Sequence, residues 1–277
     1  MKNLLYIILI IPITIQANKS SDLSYNKENF NNKDKTVENF IPVKYPFGVG
    51  VAGIFSPNPY KDTEPTRITV PVISYKGDAL ILNGPYASYS FIHKNNASSK
   101  VQLFLYPEVF KADKSNSHQL RLLDNRNYLF MIGLSQSFKS TYGDINIGEN
   151  IDITTKTNSY LLNAEFRKKI ILPISSKFLF FITPSLGVNY SSQQITNYFY
   201  GISTSEATRS NLPEYDTGNA LSPYIRANML INFSKHWNIF VTSKLNLLPD
   251  QIYDSPMVSQ RYIFTTVLSL TYNFNFT

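Results

Sequence analysis

The final stretch of the chain, residues 262–276, alternates between two kinds of side chain almost without error. Its even positions are mostly large and apolar, as at Leu268, and its odd positions are mostly small or polar, as at Ser269. Because successive side chains of a β-strand point to opposite faces, one face is apolar and the other polar. Tyr262 and Phe276 place aromatic rings at both ends of the apolar face. This pattern is typical of a transmembrane barrel strand, with lipid outside, a polar lumen inside and aromatic residues at the interfaces.

The same two-faced pattern recurs in other segments of strand length. We predict ten strands, at residues 48–55, 67–75, 79–93, 101–110, 128–138, 160–170, 177–190, 223–233, 237–247 and 262–276. Twelve strands are the alternative, if the third segment divides at Gly84-Pro85 and residues 197–202 form a strand. Soluble sandwiches also alternate, but several long strands with their charges on one face favour a membrane barrel. The predicted fold class is therefore an all-β, transmembrane antiparallel β-barrel of up-and-down topology.

The first 45 residues differ from the rest in composition. A basic start at Lys2, an apolar run at 4–15 and the small residue Ala17 predict a signal peptide over residues 1–17. The run is shorter than the roughly 20 residues of a helical membrane span, although an uncleaved anchor is the alternative. Residues 18–45 are too polar to bury a core, and we expect a disordered periplasmic tail. The barrel then occupies residues 46–277, and the expected location is the cell outer membrane after export.

Composition excludes several classes of protein. The chain has no cysteine, which excludes a disulfide-stabilised fold and any cysteine-ligated metal site. The net charge is +7, but a signal peptide directs the chain away from nucleic acid, so we predict no nucleic-acid partner. Basic loops instead predict contact with outer-membrane lipid and lipopolysaccharide. No motif predicts a cofactor or a metal.

The lengths of the connections predict an orientation, because bacterial barrels have short periplasmic turns and long outer loops. With the last strand running toward the periplasm, the expected outer loops are residues 56–66, 94–100, 139–159, 191–222 and 248–261. The long connection 111–127 then falls on the periplasmic side. It carries or adjoins the basic residues Lys111, Lys114, Arg121 and Arg126, and we expect it to help bind periplasmic partners.

Nothing in the sequence places a catalytic base beside a nucleophile. The histidines are His93, His118 and His236, and none has the spacing of a zinc motif. His93 with Ser88 or Ser90 is the best of poor candidates for a barrel lipid hydrolase. We therefore predict that the protein is not an enzyme.

Four charged residues fall on lumen-facing positions of their strands, namely Glu165, Arg167, Arg226 and Lys244. A barrel of about ten strands has little more interior than its side chains fill. We expect a narrow or plugged lumen in which Glu165 and Arg167 form a structural ion pair. A role in selectivity or gating is the alternative.

Short motifs, mostly in the connections, resemble one known family. Residues 197–203, with Tyr198, Tyr200 and Gly201, are similar to the YYGV stretch of the MipA/OmpV family, the MltA-interacting outer-membrane proteins. The other matching positions, in chain order around that stretch, are Tyr75, Asp124, Arg126, Glu206, Ala207, Tyr215, Gly218, Ser255 and Pro256. The element at 122–126 lacks the glycine that the family has there. The match extends over residues 47–276, and its motifs are weak singly but fairly specific in this order.

This resemblance implies a non-enzymatic outer-membrane barrel that acts as a scaffold between a murein hydrolase and a murein synthase. Some relatives are described instead as surface adhesins or as proteins that affect antibiotic entry. A surface-exposed adhesin or a narrow channel for small molecules is therefore the alternative function.

Overall fold

A computed structural model of the chain describes residues 46–94, 96–175, 178–234 and 236–274. The predicted signal peptide and the predicted tail at 18–45 lie outside these residues. Within the described part, no helix combines the length and the apolar character needed to cross a membrane.

The described chain is built mainly of antiparallel strands. In chain order these are β1 Phe47–Ser56, β2 Thr66–Lys76, β3 Leu80–Asn83, β4 Tyr86–His93, β5 Ala97–Tyr106, β6 Leu129–Lys139, β7 Asp144–Asp152, β8 Tyr160–Arg167, β9 Ile170–Ser175, β10 Phe178–Ser191, β11 Ala220–Asn232, β12 Trp237–Leu247 and β13 Tyr262–Phe274. Both β8 and β9 pair with β10, so they form one strand interrupted at Lys168-Lys169. Because β13 pairs with β1, the sheet closes into an antiparallel barrel of twelve strands.

The barrel confirms the predicted fold class, and its strand number is the twelve of the alternative rather than ten. The segment at 79–93 divides into β3 and β4 at Gly84, whose φ of 54° lies in the left-handed region that glycine adopts easily. The other added strand is β7, which falls inside the stretch expected to be an outer loop at 139–159. Residues 197–202 do not form a strand, because Gln193–Tyr200 is helical.

The two faces of the strands are as their alternation predicts. In β13, Leu268 faces outward with 53% of its surface exposed, whereas Ser269 faces the lumen with 9% exposed. In β11, Ile225 faces outward and its neighbour Tyr224 is buried in the lumen. An apolar exterior is what a barrel needs in the hydrocarbon of a bilayer.

The two ends of the barrel differ in the length of their connections. At one end, here called the turn end, strands join through short segments such as residues 77–79 and 140–143; β1 begins there and β13 ends there. At the other end lie the long connections 57–65, 107–128, 192–219 and 248–261.

This arrangement corrects the expected topology. The connection 111–127 lies with the other long connections, so its expected position at the end opposite them is wrong. Conversely, residues 94–96 and 140–143 lie at the turn end, where the Lys139 N–H donates to the carbonyl of Asn96 at 2.7 Å. They therefore lie at the end opposite the other expected outer loops, and of the expected loop 139–159 only residues 153–159 lie at the end of the long connections.

The four long connections fold against one another, and together they are called the loop cap below. They contain three short helices, α1 Gln193–Tyr200, α2 Thr204–Ser210 and α3 Asp250–Tyr253, and two 3₁₀ turns, Ala112–Lys114 and Leu120–Leu122. Isolated β-bridges tie the connections together, among them Tyr60 to Val258 and Thr63 to Ser115. The cap thus has secondary structure of its own.

Candidate functional site

The loop cap has an apolar centre drawn from all four long connections. Its most buried large side chains outside the strands are Tyr60, Phe110, Leu120, Ile195, Phe199, Tyr200, Ile202 and Met257. Tyr60 packs its ring 4.8 Å from that of Phe110 and 5.8 Å from that of Tyr200. Burial of apolar surface on this scale stabilises a compact unit, so the cap is a folded layer over the barrel end.

A buried ion pair joins two of the connections. The Arg126 guanidinium lies 2.7 Å from the Glu206 carboxylate, and their side chains are only 7% and 4% exposed. Arg126 also donates to the carbonyls of Asp124 and Gly201 at 2.7 and 3.3 Å. A buried charge pair is tolerated when its remaining hydrogen-bonding groups are satisfied, as they are here.

Glu206 has a second role at the start of α2. The Ser203 hydroxyl and backbone N–H group both donate to Glu206 Oε2, at 3.0 and 3.1 Å, and the Glu206 N–H donates back to Ser203 Oγ. This reciprocal arrangement is a capping box, which satisfies N–H groups that a helix leaves free at its start. The Asp124 N–H donates to the other carboxylate oxygen at 3.0 Å. Burial alone would raise the pKa of the Glu206 carboxyl, but these backbone hydrogen bonds and the Arg126 charge hold it below its usual value.

A second carboxyl, that of the half-buried Glu108, lies under the cap at the mouth of the lumen. The Tyr200 hydroxyl donates to Glu108 at 2.7 Å, and the Tyr106 hydroxyl donates at 3.3 Å. Burial raises the pKa of Glu108 and also that of the Tyr200 hydroxyl. The Ser255 hydroxyl donates to the Tyr200 carbonyl at 2.6 Å, which connects this group to the segment 248–261.

Most of the family-motif residues predicted from the sequence meet in the cap. The Asn127 N–H donates to the Tyr198 hydroxyl at 2.8 Å, and the Tyr215 hydroxyl donates to the Gln251 carbonyl at 3.1 Å. Tyr215 also forms a β-bridge with Ile202. These tyrosines therefore link the segment 192–219 to both of its neighbours.

Steric constraints explain why glycine occupies the two motif positions Gly201 and Gly218. A Cβ atom at Gly201 would come within 2.7 Å of the Asn197 carbonyl oxygen, closer than real contacts allow. Gly218 has a φ of 69°, in the left-handed region. Its carbonyl accepts a hydrogen bond from the Thr196 hydroxyl at 2.5 Å. Both glycines shape the segment that carries α1 and α2.

The remaining motif residues are less central. Asp124 lies on the cap surface, where it pairs with Arg209 of α2. Pro256 is partly exposed beside Ser255. Tyr75 is not brought to the cap, because it lies near the turn end of β2 with its ring 4.8 Å from that of Phe47.

The charged residues predicted for the lumen lie on inward positions, but their pairing differs from the expectation. Glu165 is buried and pairs with Arg226, and the Tyr224 hydroxyl donates to the same carboxylate at 2.8 Å. Lys244 places its ammonium 4.2 Å from the centre of the Tyr224 ring. Arg167 pairs instead with Asp144, at 3.7 Å.

The ion pairs of the lumen join residues that are close in the sheet rather than close in the sequence. Ser185 of β10 lies between Arg167 of β8 and Arg226 of β11 in the sheet. Glu165 of β8 reaches across β10 to Arg226, rather than pairing with Arg167 on its own strand. The resulting cluster, in which Glu165 compensates Arg226 and Lys244 lies over the Tyr224 ring, fills part of the lumen below the cap.

No hydrolase arrangement forms among the candidate residues. Ser88 is buried on β4, whereas His93 is exposed at the turn end of that strand. Five residues along a strand span about 17 Å, and the three from Ser90 to His93 span about 10 Å, so both serines lie beyond hydrogen-bonding distance of His93. Across the ranges that the structure describes, no three His, Asp or Glu side chains come together in a way that would hold a metal ion.

Two carboxylates hold the cap, Glu108 and Glu206; Glu206 falls in the family-like stretch, but the sequence analysis assigns a role to neither. For Glu206 a signal exists, because Ser203 and Glu206 have the S-x-x-E spacing of a capping box. For Glu108 no local signal exists. Its partner Tyr200 is 92 residues away in the chain, and only the folded loops bring the two together.

Fold and site together define a class of protein: an outer-membrane β-barrel whose wall is apolar and whose long connections form a folded cap over one end. Comparison with known proteins specifies the family. The family described as MltA-interacting protein MipA matches residues 49–274, and the chain belongs to this family.

Relatives support the same assignment. The chain is 30% identical over 233 residues to the MltA-interacting protein of Escherichia coli K12, covering 83% of this chain and 90% of that one. It is 25% identical to the putative outer membrane protein YiaT of the same organism, with 82% and 90% covered. It is 22% identical to the outer membrane protein OmpV of Vibrio cholerae, with 58% and 61% covered. Its location is therefore the outer membrane.

Among solved structures, the similarity is more distant. LpxR from Salmonella typhimurium aligns with a TM-score of 0.39 and 7% identity, over 82% of this chain and 99% of that chain. The translocator domain of the autotransporter NalP from Neisseria meningitidis aligns with a TM-score of 0.36 and 10% identity, over 89% and 95%.

Proposed function

We propose that this protein is a non-enzymatic outer-membrane scaffold that binds a murein hydrolase, and through it a murein synthase, at the turn end of the barrel. The E. coli relative is named for its interaction with MltA, which supports a partner of this kind. The turn end faces the periplasm in this proposal, because bacterial barrels place their short turns and both termini on that side.

The observation that carries the proposal is the charge of the turn end. Its described residues include the lysines Lys76, Lys94, Lys139, Lys168 and Lys169. The acidic residues there are Asp78 and Asp144, and Asp144 is already paired with Arg167. A basic surface of this kind speeds encounter with an acidic partner and makes binding weaken with salt.

The loop cap supports a binding role rather than transport. It covers one end of the barrel with packed side chains, and the lumen beneath it carries the compensated charges of Glu165 and Arg226. We expect single-channel conductance to be absent or very small in planar bilayers.

Co-purification from a detergent extract tests the scaffold role. The full-length protein should retain a murein hydrolase, and the double variant Lys94→Glu/Lys139→Glu should lose it. The matched control is Lys111→Glu/Lys114→Glu, which reverses two lysines of the cap and should leave binding intact. If the cap variant loses the hydrolase and the turn-end variant keeps it, the proposed surface is wrong.

A surface role is the second candidate, because the long connections form a folded layer rather than separate loops. With the turn end in the periplasm, this layer faces the outside of the cell. Deleting α2, residues 204–210, and assaying adhesion of whole cells tests this role independently of the hydrolase.

A further inference from the structure

The outward wall of the barrel contains a groove of about 500 Å³, which shares only Lys168 with the basic surface of the turn end. Its floor is a transverse row of small side chains, in which Pro184 of β10 lies opposite Ala227 of β11 and Ala227 lies opposite Ser243 of β12. The groove therefore crosses the strands instead of following one of them.

Large apolar side chains border this floor on both sides. The border toward the cap is formed by the register partners Phe166, Leu186, Ile225, Leu245 and Phe264. The border toward the turn end is formed by Ile182, Met229, Val241 and Leu268. Because the side chains of both borders are longer than those of the floor, the wall is indented along the row.

One end of the groove carries positive charge. Lys168 lines it, at the interruption between β8 and β9. Arg167, just before Lys168, lies opposite Asp144, the first residue of β7. Lys168 therefore lies at the level of the short turn 140–143, at the turn-end rim of the barrel.

From Lys168 the groove leads into the part of the wall that faces hydrocarbon. It crosses from β8 to β13, four steps of about 4.8 Å, which gives a length of about 19 Å. Strands of a membrane barrel tilt by about 35–45° from its axis. A groove transverse to such strands climbs obliquely from the rim toward the middle of the bilayer.

We propose that this groove binds one acyl chain of an anionic glycerophospholipid, whose phosphate lies against Lys168. The groove has the size of a small-molecule site and is apolar along its length, and it opens to lipid. The Lys168 ammonium lies at the rim, where a lipid headgroup would lie, and a basic residue near a membrane surface attracts anionic lipid. A second barrel is a poorer occupant, because its convex wall would not reach the floor of a narrow concave groove.

Native mass spectrometry of the full-length protein, titrated with dioleoyl-phosphatidylglycerol in detergent, tests this site. Ala227→Trp places a large ring on the floor, and we expect it to weaken binding on the order of tenfold, through the lost contacts of the chain. Its matched control is Ile147→Trp, which adds a ring on the outward face of β7, away from the groove. Heat-modifiable gel mobility shows which variants are folded.

The charged end is tested with Lys168→Gln. This change should weaken phosphatidylglycerol binding about fivefold and leave phosphatidylethanolamine binding nearly unchanged. The control is Lys139→Gln, an exposed lysine of the turn end outside the groove. Equal binding by Ala227→Trp and Ile147→Trp would overturn the acyl-chain site, and equal effects of the two glutamine variants would overturn the headgroup contact. Loss of a dimer, rather than of lipid, in Ala227→Trp would assign the groove to a second copy of the chain.

Discussion

The guanidinium of Arg126 and the carboxylate of Glu206 lie 2.7 Å apart inside the loop cap, although 80 residues separate them in the chain. This contact joins the segment 107–128 to the segment 192–219. It also buries two opposite charges side by side in the cap, where neither would be tolerated alone.

The first prediction is that removing one member of this pair opens the cap. Arg126→Met leaves the buried Glu206 charge with only the half-exposed Arg209, 3.8 Å away, which should cost about 3 kcal/mol in the free energy of cap opening. Hydrogen exchange of the amides of α1 and α2 measures this free energy. Arg261→Gln is the control, because its ion pair with Asp250 is exposed and should matter little. Equal protection in both variants would contradict a structural role for the buried pair.

The second prediction concerns acid. The pKa of Glu206 is lowered in the folded protein, so its contribution to stability is present above the ordinary glutamate pKa of about 4.3 and is lost as pH falls through the lower folded value. Protection of α2, corrected for intrinsic exchange rates, should therefore fall in this acid range. Glu206→Gln should be less protected at pH 7 and should lack this dependence. An identical acid response in the variant would assign the effect to other groups.

Glu108 is predicted to behave in the opposite way. Burial raises the pKa of Glu108, so folding favours its neutral carboxyl. The stability that this neutral carboxyl contributes is present below the ordinary glutamate pKa of about 4.3, and it is lost as pH rises through the pKa of the folded protein. Glu108→Gln keeps an acceptor for the Tyr200 hydroxyl without the charge. At pH 7 it should raise the urea midpoint of unfolding relative to the wild type, and the difference should vanish near pH 4. Asp113→Asn, on the exposed cap surface, is the control; a stabilisation at both pH values would contradict the titration of Glu108.

The alternating strands were the most predictable part of the fold. Leu268 and Ser269 face outward and inward as their positions indicate, because the two-residue period of a strand is set by backbone geometry. The strand β7 alternates too, with Ile145, Ile147 and Ile151 facing outward. It was missed because Glu149 falls on the same outward face and interrupts the apolar pattern.

Errors in strand count explain the error in topology. In an up-and-down barrel the chain reverses direction at every strand, so one missed strand assigns every later connection to the wrong end of the barrel. A second missed strand restores the correct assignment. Failure to divide the segment at Gly84 and omission of β7 are two such errors, so only the connections between them, including 107–128, were assigned to the wrong end. The cap could not be predicted at all, because contacts such as that between Arg126 and Glu206 have no local signal linking their partners.

The outward face supports a prediction about depth in the membrane. Leu268 lies in the middle of β13 and Tyr262 at its cap end, both facing outward. Leu268→Arg should cost about 2–4 kcal/mol of barrel stability, and Tyr262→Arg about 0–1 kcal/mol, because the cost of a charge falls toward the interfaces. Urea unfolding of the two variants in lipid vesicles measures both costs. Equal costs would contradict the depth assigned to these positions.

The last prediction concerns the orientation of the barrel in the membrane. It distinguishes the topology of the structure from the topology that strand counting predicts from the sequence. The chain has no cysteine, so single cysteines report their own accessibility. Asn116→Cys lies in the cap, and Tyr142→Cys lies at the tip of a short turn, where Tyr142 is 80% exposed. Strand counting places residue 142 outside the cell and residue 116 in the periplasm.

The structure, with its turn end in the periplasm, gives the reverse. An impermeant maleimide applied to intact cells should therefore label Asn116→Cys and leave Tyr142→Cys unlabelled, because the bilayer and the closed barrel block its way to the turn end. Ser205→Cys, in α2 of the cap, is a positive control that both topologies place outside. Labelling after permeabilisation shows that Tyr142→Cys is reactive. If Tyr142→Cys is labelled on intact cells and Asn116→Cys is not, the cap faces the periplasm and becomes the surface available to a murein hydrolase.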